Sequence, residues 1–333
     1  MRLKPEITSA VTASALLGAV ALIGLTGCSS ASKTPRPHQG GRPVESADPG
    51  GSVDLGQWIT GFTDRITQSG GYRVPSASER RAIADGVRLV LDGKQPEAER
   101  SLSAVGYTLR TLVDRDGGME VAEIADATKD GEARRGWGRI YVDLRGPARW
   151  SVQVPHPTAD QRTEQLGIGL LRSSPGGVLV VAGAHRNAGA DGDEREEEDA
   201  ADVAHRSDSV FAAVSDTLAD RRLPAIQVHG FADSSSPGND VVVSPGKGDA
   251  GLPAARRLSN ALRKLHLRTC EVWQRDCGRL EGRTNVEGDH ADAVDVPFVH
   301  VEHSRRVRDD DRLLAQAVRA LTEVTKRWST GRR

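Results

Sequence analysis

The spacing of apolar residues divides the chain into a helical part, a part made of short strands, and a part in which strands and helices alternate. In residues 53–104, Trp58, Phe62 and Ile66 recur at every fourth position, which is the period of one face of a helix. A second helical pattern, ERRAIADGVRLVLDG, ends at Gly93, and a third short helix is predicted at 96–104. This part is therefore predicted to be a helical lead-in.

Short β-type runs follow the lead-in, at residues 107–114, 119–126, 138–144 and 148–154. Asp116-Gly117-Gly118 and Arg145-Gly146-Pro147 are turn signals, so each turn is predicted to join its neighbouring runs in a hairpin. The fourth run leads directly into the motif VPHPTAD at His156. The antiparallel strands are therefore expected to belong to the same sheet as that motif.

Beyond His156, helical and strand patterns alternate. Strands are predicted at 177–182, 225–229, 241–244, 268–273 and 296–302, and helices at 160–172, 203–220, 253–265 and 309–328. The uninterrupted apolar runs VLVVA and AIQV are typical of buried parallel strands. The fold predicted is α/β: a mixed, hydrolase-like sheet with helices on both faces, preceded by the helical lead-in.

The N-terminal 28 residues have the pattern of a lipoprotein signal peptide. Arg2 and Lys4 precede an apolar stretch at 10–25, and LTGC ends at Cys28, whose thiol would receive the lipid. An ordinary secretory signal is the alternative. Residues 29–52 are rich in Ser, Pro and Gly and are predicted to be a disordered tether. A single domain at 53–330 follows, with its lead-in at 53–104 and its catalytic core at 105–330, anchored outside the cytoplasm at the membrane.

Composition limits the partners and the chemistry. The net charge of -1 gives no reason to expect a nucleic-acid partner. Nine histidines beside three cysteines favour His/carboxylate over thiolate metal chemistry. With Cys28 assigned to the lipid, Cys270 and Cys277 are close enough in sequence to form a structural disulfide in an oxidising compartment, the alternative being two free thiols.

Candidate metal ligands follow two of the predicted core strands. His156 ends one strand, and Asp160 and Glu164 lie four residues apart in the helical pattern after it. His229 ends another strand, in AIQVHGF. A hydrolytic zinc site needs three His or carboxylate ligands, so His156, His229 and either Asp160 or Glu164 form a candidate set. The alternative is that Asp160 only stabilises a helix N-terminus and that His229 is a structural histidine.

Further polar residues follow other strands. Glu302 would be a general base, unless it forms a salt bridge with Arg305, Arg306 or Arg308. Arg186 could bind a substrate carboxylate, and His205 could contact a developing oxyanion or pair with Asp202, although both could be ordinary surface residues. Asn285 is predicted to lie in a loop, where it binds substrate or shapes the turn.

The motifs VPHPTAD, AGAHR, QVHGF and FVHVEHS, in this order over roughly residues 138–310, resemble those of zinc-dependent amidohydrolases related to N-formylglutamate amidohydrolase. That group is similar in fold to the zinc carboxypeptidases, including enzymes that cleave poly-γ-glutamate. The resemblance implies one Zn²⁺ held by His156, Asp160 and His229, with Glu302 as general base and Arg186 on a substrate carboxylate. The spacing His-x-x-x-Asp departs from the carboxypeptidase His-x-x-Glu.

The expectation is therefore a membrane-anchored, zinc-dependent hydrolase of an amide or peptide bond in a small-molecule or peptide substrate, with γ-glutamyl and wall-derived compounds as candidates. Two alternatives stay open. One is a metal-independent phosphoesterase that places His156, Arg186, His205 and His229 around a phosphate. The other is a lipoprotein that binds a ligand without turnover.

Overall fold

The computed structural model describes residues 51–189 and 200–331. The predicted signal peptide with Cys28, nearly all of the tether and most of the acidic run at 191–202 lie outside these ranges. No helix within the two described ranges is both long and apolar enough to cross a membrane.

Strands and helices alternate through most of the described chain. The strands are β1 (Ser52–Val53), β2 (Tyr107–Asp114), β3 (Glu120–Asp126), β4 (Arg139–Asp143), β5 (Trp150–Val154), β6 (Gly177–Val181), β7 (Ala225–Phe231), β8 (Val241–Ser244), β9 (Thr269–Glu271) and β10 (Phe298–Ser304). The helices are α1 (Leu55–Thr63), α2 (Ala77–Leu91), α3 (Gln95–Ser103), α4 (Gly131–Arg135), α5 (Thr163–Ser173), α6 (Val210–Asp220), α7 (Leu252–Lys264), α8 (Val286–Ala293), α9 (Arg305–Asp309) and α10 (Asp311–Ser329).

All of these strands join one mixed sheet, in the order β1-β2-β3-β4-β6-β5-β7-β10-β8-β9. The central strands β6, β5, β7 and β10 are parallel to one another. On either side of them, β4 pairs antiparallel with β6, and β8 pairs antiparallel with β10. The carboxyl ends of four neighbouring strands therefore meet at one edge of the sheet, where ligand sites form in open α/β sheets.

Helices cover both faces of the sheet, as predicted. Along β6, Leu179 and Val181 pack into one apolar core, and Val178 and Val180 into another, because successive side chains of a strand point to opposite faces. The first core receives apolar residues of α1, α5, α7 and α10. The second receives those of α2, α3 and α6. The α/β fold with a mixed sheet is thereby confirmed.

The prediction of a hairpin at Arg145-Gly146-Pro147 is wrong. β4 pairs with β6, and β5 lies on the far side of β6, so β4 and β5 are not neighbours. After this turn the chain passes the position of β6 and forms β5 on the far side of it. Helix α5 then leads back to β6, which pairs parallel with β5. The hairpin at residues 116–118 is confirmed, since β2 and β3 pair antiparallel.

Two helical predictions also need correction. The helix expected at 203–220 begins at Val210, because the Ser209 hydroxyl accepts a hydrogen bond from the Ala212 amide and caps the helix there. Asn285 does lie in a loop, but it is the N-cap residue of α8, a helix before β10 that the sequence pattern did not indicate. The Cys270–Cys277 disulfide is present and joins β9 to the turn after it.

Candidate metal centre

The turn after β5 brings two candidate ligands onto the same side of the chain. The Asp160 amide donates a 2.8 Å hydrogen bond to the carbonyl of His156, which closes a single helical turn before α5 begins at Thr163. Both side chains are almost fully buried. A spacing of four residues therefore places the imidazole and the carboxylate next to each other.

The Asp160 carboxylate lies between two histidines. Its Oδ2 is 3.4 Å from His156 Nδ1 and 3.3 Å from His229 Nδ1. The three ligand atoms all lie within 4.8 Å of one another. Two ligands bound tetrahedrally to zinc at about 2.05 Å are about 3.3 Å apart, so both short distances suit a shared zinc ion.

His156 Nδ1 is buried and has no hydrogen-bond partner among the described residues. Such an orphaned nitrogen is costly unless something binds it. Its other ring nitrogen, Nε2, is 2.7 Å from Asp202 Oδ1. This contact orients the ring and leaves Nδ1 facing Asp160, and a carboxylate on the other ring nitrogen is common for zinc-binding histidines.

A chain of buried amides fixes the second histidine. His229 Nε2 lies 2.9 Å from Gln227 Oε1, which also accepts a hydrogen bond from Asn285 Nδ2. Gln227 Nε2 donates to Gln153 Oε1 at 3.1 Å and to Glu287 Oε2 at 3.0 Å. Because these acceptors hold the amide nitrogen of Gln227, its oxygen must face His229, which places the proton of His229 on Nε2 and frees Nδ1.

At this centre, neighbouring opposite charges outweigh the effect of burial on the pKa values. Burial lowers the pKa of His156, but the carboxylates of Asp160 and Asp202 outweigh that effect and raise it to about 9. The same contacts hold the pKa values of both carboxyls well below their usual range, against the opposing effect of burial. The centre is therefore built around two carboxylates and favours a cation.

Glu302 lies at the end of β10, beside this cluster. Its Oε1 is 3.9 Å from His300 Nε2, and its Oε2 has no hydrogen-bond partner in the described part of the chain. Burial, reinforced by the negative charge of Asp160, raises the pKa of Glu302 to about 8. A buried carboxyl with a raised pKa next to a cation site is suited to moving a proton.

The salt-bridge alternative for Glu302 does not describe the geometry. Arg305 pairs with Asp309, and Arg306 pairs with Asp240. Arg308 donates hydrogen bonds to the backbone carbonyls of His303, Phe231 and Gln161. It packs against Gly230, where any Cβ would lie 2.4 Å from the guanidinium, so the glycine after His229 makes room for this arginine.

A second group of possible ligand atoms belongs to His229, His300 and Glu302. The His229 and His300 rings are 4.7 Å apart, and His300 Nδ1 has no hydrogen-bond partner among the described residues. His300 lacks an orienting partner of the kind that His156 has in Asp202. The cluster of His156, Asp160 and His229 is therefore the better-supported ligand set.

Asp160 and Glu164 do not share a helix face, contrary to the sequence-based expectation. Asp160 lies in the turn before α5, whereas Glu164 is in its first turn and lines a separate cleft. Of the two carboxylates left open by the sequence, Asp160 is the one that contacts both histidines.

Arg186 and His205 both bind Asp202. Arg186 forms an ion pair with Asp202 Oδ2, and His205 Nδ1 lies 3.1 Å from the same oxygen. Their side chains remain 37% and 43% exposed, so they connect the buried centre to solvent. Asn285 lies against the second histidine, with its Nδ2 3.3 Å from His229 Nε2.

The sequence pattern did not indicate the residues that orient the ligands. Asp202 was considered only as a partner of His205, and Gln227, Gln153 and Glu287 were not considered. One signal was available: Gln153 and Gln227 interrupt apolar strands, and Gln227 is two residues before His229, hence on the same face of β7. A buried glutamine at such a position needs hydrogen-bond partners.

Comparisons with known proteins identify no family. No family model and no curated protein matches the chain. Among solved structures, it is similar to a gene product of Agrobacterium tumefaciens (12% identity, 62% of this chain, 97% of that chain, TM-score 0.42). It is also similar to an aspartoacylase family protein of Mesorhizobium loti (14%, 64%, 70%, TM-score 0.36) and to a metallo-carboxypeptidase of Burkholderia cenocepacia (10%, 76%, 69%, TM-score 0.33). Structural similarity this distant gives no evidence about function, which is therefore inferred from the residues of the site.

Proposed function

We propose that the protein is a zinc-dependent hydrolase of an amide bond, with His156, Asp160 and His229 as ligands. The observation that carries this proposal is the pair of short distances from Asp160 Oδ2, 3.4 Å to His156 Nδ1 and 3.3 Å to His229 Nδ1. Three protein ligands leave a fourth position open, as in catalytic rather than structural zinc sites.

Zinc bound there supplies polarisation of the substrate carbonyl and lowers the pKa of a water molecule to about 7. Glu302 takes a proton from the attacking water and passes it to the nitrogen of the leaving amine. The carboxylate form of Glu302 would accept that proton at Oε2, which has no hydrogen-bond partner among the described residues. A bound cation would favour this form by lowering the pKa of Glu302 from the value of about 8 that burial gives it. Arg186, partly exposed, is placed to bind a carboxylate of the substrate while remaining paired with Asp202.

The phosphoesterase alternative is less compatible with the charges. A phosphate placed among His156, Arg186, His205 and His229 would meet the carboxylates of Asp160 and Asp202, which contact all four of these side chains. Like charges in a buried site repel strongly. The proposal therefore keeps metal-assisted amide hydrolysis.

The test is zinc content and amide cleavage of the purified full-length chain. Elemental mass spectrometry should find about one zinc per chain, lost in the His156→Ala/His229→Ala double variant. Against a panel of N-acyl amino acids and peptides, Glu302→Gln should retain zinc but lose at least about 100-fold in rate, the usual contribution of a general base.

Glu271→Gln is the matched control, because Glu271 is also a buried carboxylate but lies in β9, at the far end of the sheet, paired with Arg263. It should leave both zinc content and rate unchanged. Absence of zinc from the wild type, even after zinc is added, would rule out the metal mechanism. Full activity of Glu302→Gln would remove Glu302 from the reaction.

A further inference from the structure

A cleft of about 530 Å³ lies beside the candidate metal centre. One wall is the turn that carries the ligands, since Pro157 directly follows His156 and Gln161 directly follows Asp160. The opposite wall includes Thr60, Thr63 and the neighbouring Asp64, at the end of α1. His185 also lines the cleft, and burial together with the positive charge of Arg186 lowers its pKa. The cleft therefore adjoins the outer side of the metal-binding turn.

Glu164 lines this cleft as a buried carboxyl group with no ion pair among the described residues. Its side chain is 4% exposed, and its Oε2 has no hydrogen-bond partner among the described residues. The other oxygen, Oε1, accepts one hydrogen bond of 3.3 Å from Gln165 Nε2. Removing a carboxylate from water without pairing it costs several kcal/mol, so this arrangement calls for a partner.

No residue in the described walls of the cleft forms an ion pair with Glu164. Arg162 is the one arginine or lysine among those lining residues, and it pairs with Asp311. Burial raises the pKa of Glu164, and the negative charge of Asp64 adds to this effect, while the positive charge of Arg162 opposes it. Thr158 Oγ1, also in the wall, lacks a hydrogen-bond partner as well. Glu164 and Asp64 do not form a group that could hold a metal ion with a third ligand in the described chain. An organic cation with N–H donors would therefore supply the partner that Glu164 and Thr158 lack among the described residues.

We infer that this cleft binds a cationic group of the substrate, so that the substrate is an amide with a primary ammonium on the part that lies against Glu164. The inference rests on the proposed amide hydrolysis and adds the substrate class. The ammonium donates to Glu164 Oε2 and Thr158 Oγ1, and Asp64 adds attraction. The volume of the cleft accommodates a chain the length of a lysine side chain.

The probes that test this are N-acetyl-lysine methylamide and N-acetyl-norleucine methylamide, which differ only in the ammonium group. Calorimetry or NMR titration with the zinc-loaded full chain should show the lysine compound binding about tenfold more tightly. In Glu164→Gln that ratio should fall to about one, while affinity for the norleucine compound and zinc content remain unchanged. The substitution removes a buried unpaired charge without changing shape, so the variant should fold.

Asp64→Asn should reduce the ratio only in part, and Glu97→Gln, an exposed carboxylate of α3, should leave it unchanged. The inference is overturned if the two compounds bind equally, if neither binds at 20 mM, or if the preference survives in Glu164→Gln. Measuring the zinc content distinguishes a failure of this inference from a failure of the proposed zinc-dependent hydrolysis. A normal zinc content without lysine preference leaves the hydrolase proposal intact, and lysine preference in a chain that binds no zinc refutes only the metal mechanism.

Discussion

Replacing Asp202 by asparagine tests whether the partner of His156 controls metal binding. Asp202 Oδ1 is 2.7 Å from His156 Nε2, and its other oxygen contacts His205 and Arg186. Asparagine has the same shape and can still accept one hydrogen bond from His156. It loses the negative charge, however, and turns its amide NH₂ towards two side chains that are themselves donors.

The expected loss follows from the position of this contact. A residue that orients a metal-binding histidine contributes about 10–100-fold to metal affinity, which is about 1.4–2.8 kcal/mol. Asp202→Asn should lie near the lower end, because a hydrogen bond to His156 can still form. Asp202→Ala should lie near the upper end, because His156 Nε2 then loses its partner within a buried site.

Zinc affinity is measured by competition with a chromophoric chelator, using the full-length chain and its variants. Asp208→Asn is the control, since Asp208 pairs with Arg206 a few residues away and contacts no candidate ligand. Circular dichroism checks that each variant is folded. Affinities within twofold of the wild type for both Asp202 variants would show that His156 is not a ligand, or that Asp202 does not orient it.

Three other outcomes are expected. Zinc at 100 times its dissociation constant should stabilise the wild type by about 2.7 kcal/mol in thermal unfolding, and should not stabilise a His156→Ala/His229→Ala variant. Burial raises the pKa of Glu287 from 4.5 to about 8, so its contribution to metal-free stability is complete below pH 4.5 and declines as the pH rises towards 8. Urea titrations should therefore show a shallower fall for Glu287→Gln than for the wild type between pH 5 and 8. Replacing both Cys270 and Cys277 by serine should lower stability by about 2 kcal/mol in urea, because the bond closes a short loop with a sequence separation of 7; an unchanged midpoint would contradict this.

Local patterns predicted most of the secondary structure but not all of it. Strands β2 to β5 and helices α2 and α3 have strong periodicity, and each appears within two residues of its predicted bounds. Helix α1 ends at Thr63, before Ile66, the last residue of its predicted apolar face. Helix α8 was missed because its sequence, VEGDHADA, has almost no apolar stripe; Glu287 and Gly288 are buried there instead. A helix whose buried side includes a carboxyl and a glycine gives no hydrophobic period to detect.

The candidate ligands could be proposed from the sequence because each follows a strand directly. The residues that orient these ligands could not be proposed from the sequence. Asp202 is 46 residues from His156, after a segment with no strand or helix pattern, and the 2.7 Å contact between them arises only in the folded chain. Glu287 is likewise 60 residues from Gln227. Such long-range hydrogen bonds depend on how elements pack, and packing has no local signature.

The order of strands in the sheet explains why residues so far apart meet. His156 follows β5 and His229 lies near the carboxyl end of β7; these strands are neighbours, and β10 with Glu302 is the next strand beyond β7. A hairpin at residues 145–147 would have paired β5 with β4 in the place that β6 occupies. With β6 between β4 and β5, β5 has a parallel neighbour on each side, and the turn after it opens at the same edge as those after β6, β7 and β10. The β5–β7 pairing is what brings His156 next to His229, because these two strands are adjacent and parallel.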